Sequence, residues 1–135
     1  MRQTFSIRTR EKRQTIDVTS EVRKLVRGSG AREGLCHVMV LHATAAIVIN
    51  ENDDPNIGVD LLTALDGTVP EHGGWLHDRI DGNAQAHILA ATLGPSETIA
   101  IEGGDLVLGR WQGIMLVELD GPRERQVSVT VLPTR

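Results

Sequence analysis

An α+β fold in one small domain is what this sequence predicts, on three observations. The 135 residues are 40% hydrophobic, enough for residues 1–135 to bury a single core without disulfides. Short alternating or unbroken apolar stretches crowd the two ends of the chain while helical spacing recurs between them, about seven strands and about three helices in all. Strands gathered in this way, and not alternating one-for-one with helices, favour α+β layers over a wound α/β sheet. The third observation is an absence: the chain has no Gly-rich phosphate loop, no Gly-x-Ser-x-Gly elbow and no Cys-x-x-Cys pair.

Residues 3–9 alternate, with Phe5 and Ile7 on one face. The charged turn 10–13 and a second short strand at 14–18 complete a hairpin. Thr19 and Ser20 are placed to cap a helix whose Val22, Leu25 and Val26 share a stripe, and Gly28-Ser29-Gly30 end it. After a loop at 31–34, residues 35–52 are almost continuously apolar and β-branched, a strand or two in line, buried on both faces. His42 lies within that run and Glu51 at its end. The turn formers and carboxylates of 52–56 lead into a helix at 57–65, and residues 66–81 are broken by Gly67, Pro70, Gly73 and Gly74 into a long loop carrying His72, Trp75 and His77. Residues 84–93 predict a buried, Ala-rich helix, with Asn83 and His87 four apart. Strands follow at 98–101, 105–108, 113–119 and 124–132, separated by glycine and proline turns.

The charge balance of −4, from 14 basic and 18 acidic residues, and an aromatic content of 2% exclude a chain that tracks nucleic acid by a positive field or stacks bases. No stretch is long and apolar enough for a membrane span. The single cysteine, Cys36, lies in the apolar run as a small buried hydrophobe. A reducing, cytoplasmic setting is expected. Of the five histidines, His37 and His42 are an odd number of positions apart and face opposite ways on a regular strand. Cys36 shares the face of His42 but lies about 20 Å away at roughly 3.3 Å per residue. His42, His77 and His87 remain, on three separate elements. They can converge as a three-histidine site with an open fourth position, as a catalytic divalent metal requires. Equally, His42 can be a satisfied core residue, His87 a helix histidine bonded to a carbonyl, and His72 and His77 solvent-facing.

Taken together, His42-Ala-Thr44-Ala, Asn50-Glu51, Asp54-Pro55, Asp60, the run from His77 through Asn83 to Ala86-His87, Gly94, Gly103, Leu108-Gly109, Trp111-Gln112, Glu118 and Asp120-Gly121-Pro122-Arg123 form a recognisable set. With these residues the chain resembles the YjbQ family, also described as secondary thiamine-phosphate synthases, over almost its whole length. The resemblance implies a barrel-like mixed sheet, a homotrimer, and a divalent metal on His42, His77 and His87, zinc foremost and magnesium as the alternative. Ala43 stands where the family usually has a second Thr, and Arg110 where it has a Thr before the Trp-Gln pair. Both departures alter the shape or charge of a pocket without removing a ligand.

The activity so implied is a condensation in which a thiazole nitrogen displaces pyrophosphate from an aminopyrimidine methyl pyrophosphate. Its leaving phosphates need neutralising by metal, by arginine or by both. Arg110 and Arg123 are the candidate forks. Thr44, Asn83 and Gln112 are further substrate-binding candidates, and Glu51 and Glu118 join Arg123 as catalytic ones, Glu118 by holding an arginine. For Arg123, after the turn at 120–122, the structural alternative is a salt bridge to Glu118. Two other functions fit the same residues: a metal-dependent hydrolase with Glu51 as base for an attacking water, or a non-enzymatic trimer that binds metal or small molecules.

Overall fold

The structure, a computed structural model, describes residues 1–134. In chain order the elements are β1 (Arg2–Arg8), β2 (Gln14–Asp17), α1 (Thr19–Ser29), β3 (Glu33–Val40), β4 (Ala45–Glu51) and α2 (Pro55–Thr68). A 3₁₀ turn (Leu76–Arg79), α3 (Ala84–Leu93), β5 (Ser96–Glu102), β6 (Asp105–Leu106), β7 (Gln112–Glu118) and β8 (Glu124–Pro133) complete it. The strands form a five-stranded sheet in the order β1-β8-β3-β5-β6, curled into a half-barrel, and a three-stranded sheet in the order β2-β7-β4. The α+β architecture stands, and within it each of these pairings is antiparallel.

Val38, Ile99 and Val129 of the larger sheet meet Ile47, Ile114 and Leu116 of the smaller one, and Val22 and Val26 of α1 join them. On the other side of the smaller sheet, Ala46, Val117 and Leu119 pack against Ala86, Leu89 and Ala90 of α3, with Leu61, Leu62 and Leu65 of α2 around them. The smaller sheet is therefore the middle of three layers. Both its faces are dry, which is why β4 and β7 read as unbroken apolar runs where a half-exposed strand alternates. Each fully buried Leu or Ile here contributes roughly 1.5–3 kcal/mol relative to exposure. No helix among the described residues is long and apolar enough to cross a membrane.

Three expectations are corrected. Residues 35–52 are two strands in different sheets, joined by a crossing at 41–44, so His42 stands on a bend where strand parity does not apply. The N-terminal hairpin does not form: β1 pairs with β8, and β2 with β7. The backbone of the charged segment after β1 bonds to the crossing after β7, with Thr9 N–H donating to Arg123 O at 2.8 Å and Gly121 N–H to Lys12 O at 2.9 Å. A Cβ at Gly121 would overlap the Glu11 carbonyl oxygen, so the two crossings can touch only at a residue without one. Nor do Thr19 and Ser20 cap α1: Val18 holds the N-cap position, and the Thr19 N–H and hydroxyl donate to Asp17 Oδ1 at 2.8 and 2.6 Å.

Candidate functional site

The chain passes directly from one sheet to the other at 9–13, 41–44, 107–111 and 119–123, and all but the third of these meet. Hydrogen bonds tie the meeting crossings together: besides those above, Leu119 N–H donates to Thr44 O at 3.2 Å and Leu41 N–H to Gln126 O at 3.0 Å. With the start of α3 they line an open cavity of about 600 Å³, bordered by Arg8, His42, Thr44, Asn83, His87, Asp120, Arg123 and Arg125, among others.

The floor of this cavity is a buried ion pair. Glu118 is fully buried and Arg125 is 2% exposed. Arg125 Nε donates to both Glu118 oxygens at 2.9 and 3.1 Å, and Nη2 also reaches Glu118. Nη2 further donates to Thr44 Oγ1 at 2.9 Å and Thr44 O at 3.1 Å. The Thr9 hydroxyl donates to Glu118 Oε1 at 2.7 Å, and the N–H groups of Leu119 and Asp120 donate to Oε2 at 3.0 and 3.1 Å. Burial pushes the Glu118 carboxyl up, but these donors together outweigh it and hold the group below the usual carboxylate range. A pair of this kind is weak as a source of stability, because desolvation offsets much of the attraction. What it does supply is a guanidinium locked in one orientation beneath a polar cavity.

Arg123 is held on the rim. Its Nε donates to Asp120 O at 2.7 Å and its Nη2 to Asp120 Oδ2 at 2.9 Å, while its side chain is 53% exposed. The expected alternative partner, Glu118, is taken by Arg125. Asp120 Oδ2 also accepts from Asn83 Nδ2 at 2.9 Å, and Asn83 Oδ1 is left buried with no donor among the described residues. The N–H of Gln126 donates to His42 Nε2 at 2.8 Å, so the neutral ring carries its proton on Nδ1. Burial, and then the Arg125 charge, hold the His42 pKa below its ordinary value. His42 and His87 also border a second cavity of about 320 Å³, whose other walls are Ala43, Ala45, Ala90, Ala91 and Pro95.

His77 comes from the 3₁₀ turn and meets His87 edge to face, with ring centroids 4.9 Å apart at 86°. Its Nε2 is buried with no hydrogen-bond partner among the described residues, and lies 3.6 Å from Asp81 Oδ2. For a divalent metal the donor set is right in kind: an orphaned imidazole nitrogen, a second ring beside it, and a third across the same cavity. Among the described residues no group of three or more His, Cys, Asp or Glu is already arranged to hold an ion. His42 would have to release the Gln126 N–H before its Nε2 lone pair was free.

Of the residues singled out in the sequence, His42, Thr44, Asn83, His87 and Arg123 line one cavity, Glu118 lies under it and His77 touches it through His87. Glu51, Arg110 and Gln112 do not join them. Glu51 and Gln112 are register partners at the opposite end of the β4–β7 ladder from Ala45 and Glu118, roughly 20 Å away at about 3.3 Å per residue. There Gln112 Oε1 accepts from Gly109 N–H at 2.7 Å, and the Arg110 guanidinium stacks 4.8 Å over the Trp111 ring. His37 lies on β3 opposite Thr98 and Thr130, and His72 is exposed. Arg125 is the site residue that reading by motif missed. Its signal was period two: it shares the inward parity of Val127, Val129 and Val131, and an arginine in that register calls for a buried partner.

The sequence matches the family described as UPF0047 protein YjbQ-like over residues 3–134. It is 41% identical to a UPF0047 protein of Methanothermobacter thermautotrophicus over 129 residues, 96% of this chain and 90% of that one. Among solved structures, a YbjQ-like protein of unknown function from Sulfolobus solfataricus P2 superposes with a TM-score of 0.95 at 38% identity, covering 98% of this chain and 96% of the other. A YjbQ/UPF0047 family protein from Clostridium acetobutylicum does so with a TM-score of 0.92 at 44% identity, covering 96% and 98%.

Proposed function

The chain belongs to the UPF0047 YjbQ-like family, and from its site we propose a metal-dependent enzyme acting on a small phosphorylated metabolite. One observation carries the reading: a locked, dry guanidinium, that of Arg125, at the floor of a polar cavity bordered by His42 and His87 and rimmed by Arg123. Arginine forks suit phosphate oxygens, and charge-assisted bonds gain strength where water is excluded. His42, His77 and His87 would hold the metal, zinc foremost and magnesium as the alternative. When bound, it would neutralise charge on phosphate oxygens.

Thiamine-phosphate formation is the named reaction. The thiazole nitrogen attacks the methylene carbon of the aminopyrimidine methyl pyrophosphate; the C–N bond forms, the C–O bond breaks, and pyrophosphate leaves with the electron pair. Arg123 and Arg125 would grip the phosphates. Asn83 lines the same cavity, where its amide would meet the polar edge of the pyrimidine. Hydrolysis with Glu51 as base has less support, because that carboxylate is at the far end of β4 from His42.

The test is to incubate the purified chain with both precursors, before and after chelation and with zinc or magnesium restored, and to quantify thiamine phosphate and pyrophosphate. The reading expects both products in equal amounts, lost on chelation. Absence of product with every metal removes the named reaction, and product that survives full chelation removes the metal.

A further inference from the structure

Arg125 has five N–H donors, of which those on Nε and Nη2 are spent on Glu118 and Thr44. Nη1 makes no hydrogen bond to any described residue. Nor is it among the sealed polar atoms without partners, which among the described residues are Arg13 Nε, His77 Nε2 and Asn83 Oδ1. Arg125 lines the cavity, so Nη1 is the donor left for a ligand there. Arg123 is a poorer anchor, for Asp120 holds its Nε and Nη2 and more than half of its side chain is in water, where screening weakens its grip.

Beyond His42 and His87 the polarity changes. The first cavity offers arginine, amide and carboxylate groups; the second, sharing His42, Ala43 and His87, is walled otherwise by Ala45, Ala90, Ala91 and Pro95. Two cavities with shared walls and opposite polarity form one cleft, suited to a ligand with two unlike ends. We propose that Arg125 Nη1 anchors the oxyanion of the ligand, and that the ligand is a phosphate monoester whose compact apolar group lies in the alanine-walled cavity. This rests on the phosphate reading above and narrows it to a substrate class.

Calorimetric titration of inorganic phosphate, phenyl phosphate and phenol into the full chain tests it. Phenyl phosphate should bind about tenfold or more tighter than phosphate, the gain expected from burying an apolar ring. Phenol should not bind measurably. Arg125→Lys keeps a charge for Glu118 but loses the planar fork, and should weaken both phosphates about tenfold or more. Ala91→Leu, on the exposed side of α3, should fill the apolar lobe and bring phenyl phosphate back to the affinity of phosphate. Equal affinity of phosphate and phenyl phosphate for the wild type overturns the two-lobed cleft, and so does phenol binding as tightly as phenyl phosphate. Unchanged binding in Arg125→Lys, with loss in Arg123→Lys, overturns the anchor and leaves the proposed function standing. If the wild type binds neither phosphate, both fall. Should Arg125→Lys not fold, the guanidinium nitrogen resonances of Arg125 in the wild type decide the anchor: saturable shifts with phosphate support it, and unshifted signals overturn it.

Discussion

Removing the Glu118 carboxylate would leave the Arg125 guanidinium buried and unpaired, and breaking such a pair costs about 3–5 kcal/mol. Glu118→Leu should therefore lower the urea midpoint by that much stability, far more than loss of the exposed Arg123–Asp120 pair, worth about 0–1 kcal/mol. The pair also ties stability to pH. The folded-state pKa of Glu118 lies below its unfolded value, so the unfolded chain binds more protons as the solution becomes acid. Its contribution is complete above the ordinary glutamate pKa of about 4.3 and is lost as pH falls from there through the depressed folded value. A urea midpoint followed from pH 7 downwards should show a steeper acid limb in wild type than in Glu118→Gln; parallel curves would mean that Glu118 titrates normally. Cys36 gives the opposite case. Burial pushes its thiol up to about 11, so at neutral pH it should stay unreactive to a thiol reagent until the chain unfolds. Rapid modification of the native protein would contradict its buried position.

At the scale of elements, the crossings between sheets matter more to the site than the strands they join. Gly121→Ala should be destabilising, with the damage local to the cavity, because the added Cβ meets the Glu11 carbonyl oxygen and pushes apart the segments carrying Thr9 and Arg123. Thermal unfolding and phosphate binding should both suffer, whereas an unchanged melting temperature would show that the crossings have room to part. Leu89→Ala in α3, 1% exposed, should cost about 2–5 kcal/mol as a core truncation. These elements also show what could be read without coordinates. The extent of α3 is legible to the residue, since Ala84 opens it and Gly94-Pro95 stop it. β7 and β8 come within a residue or two because the turn at Asp120-Gly121-Pro122 closes one apolar run and opens the next. Pairing is not legible: a period of two tells which face of a strand is buried but not which neighbour it bonds, so the reversal after β1 passed for a hairpin. The same limit split the site. His42, Thr44, Asn83, His87 and Arg123 fall where the crossings meet, whereas Glu51 and Gln112, although as prominent in the sequence, sit at the other end of the β4–β7 ladder.

On the whole molecule, the smaller sheet is covered on both faces and the larger one on a single face. Leu35 pairs in register with Ala100 on one side and Leu132 on the other. Leu35 is 44% and Leu132 62% exposed, with Met39 farther along the same face of β3. A row of apolar side chains on an open sheet face is costly in water and is the kind of surface that association removes. The homotrimer we propose gives that face a use, and it also bears on the separated site residues. Copies related by a closed rotation can bring the Glu51–Gln112 end of one β4–β7 ladder towards the His42 cavity of the next. Light scattering should return three times the 14.7 kDa chain mass, with no dependence on concentration in the micromolar range. Leu35→Glu should shift that mass towards the monomer if the open sheet face is the contact. If the Glu51 end completes the next copy's site, Glu51→Ala and His42→Ala should each be inactive alone and regain part of the activity when refolded together, because a hybrid trimer contains sites that take one intact half from each copy. A steady monomer mass would end the trimer, and with it the sharing of sites. A trimer whose mixed variants stay inactive would keep the assembly but confine each site to a single chain.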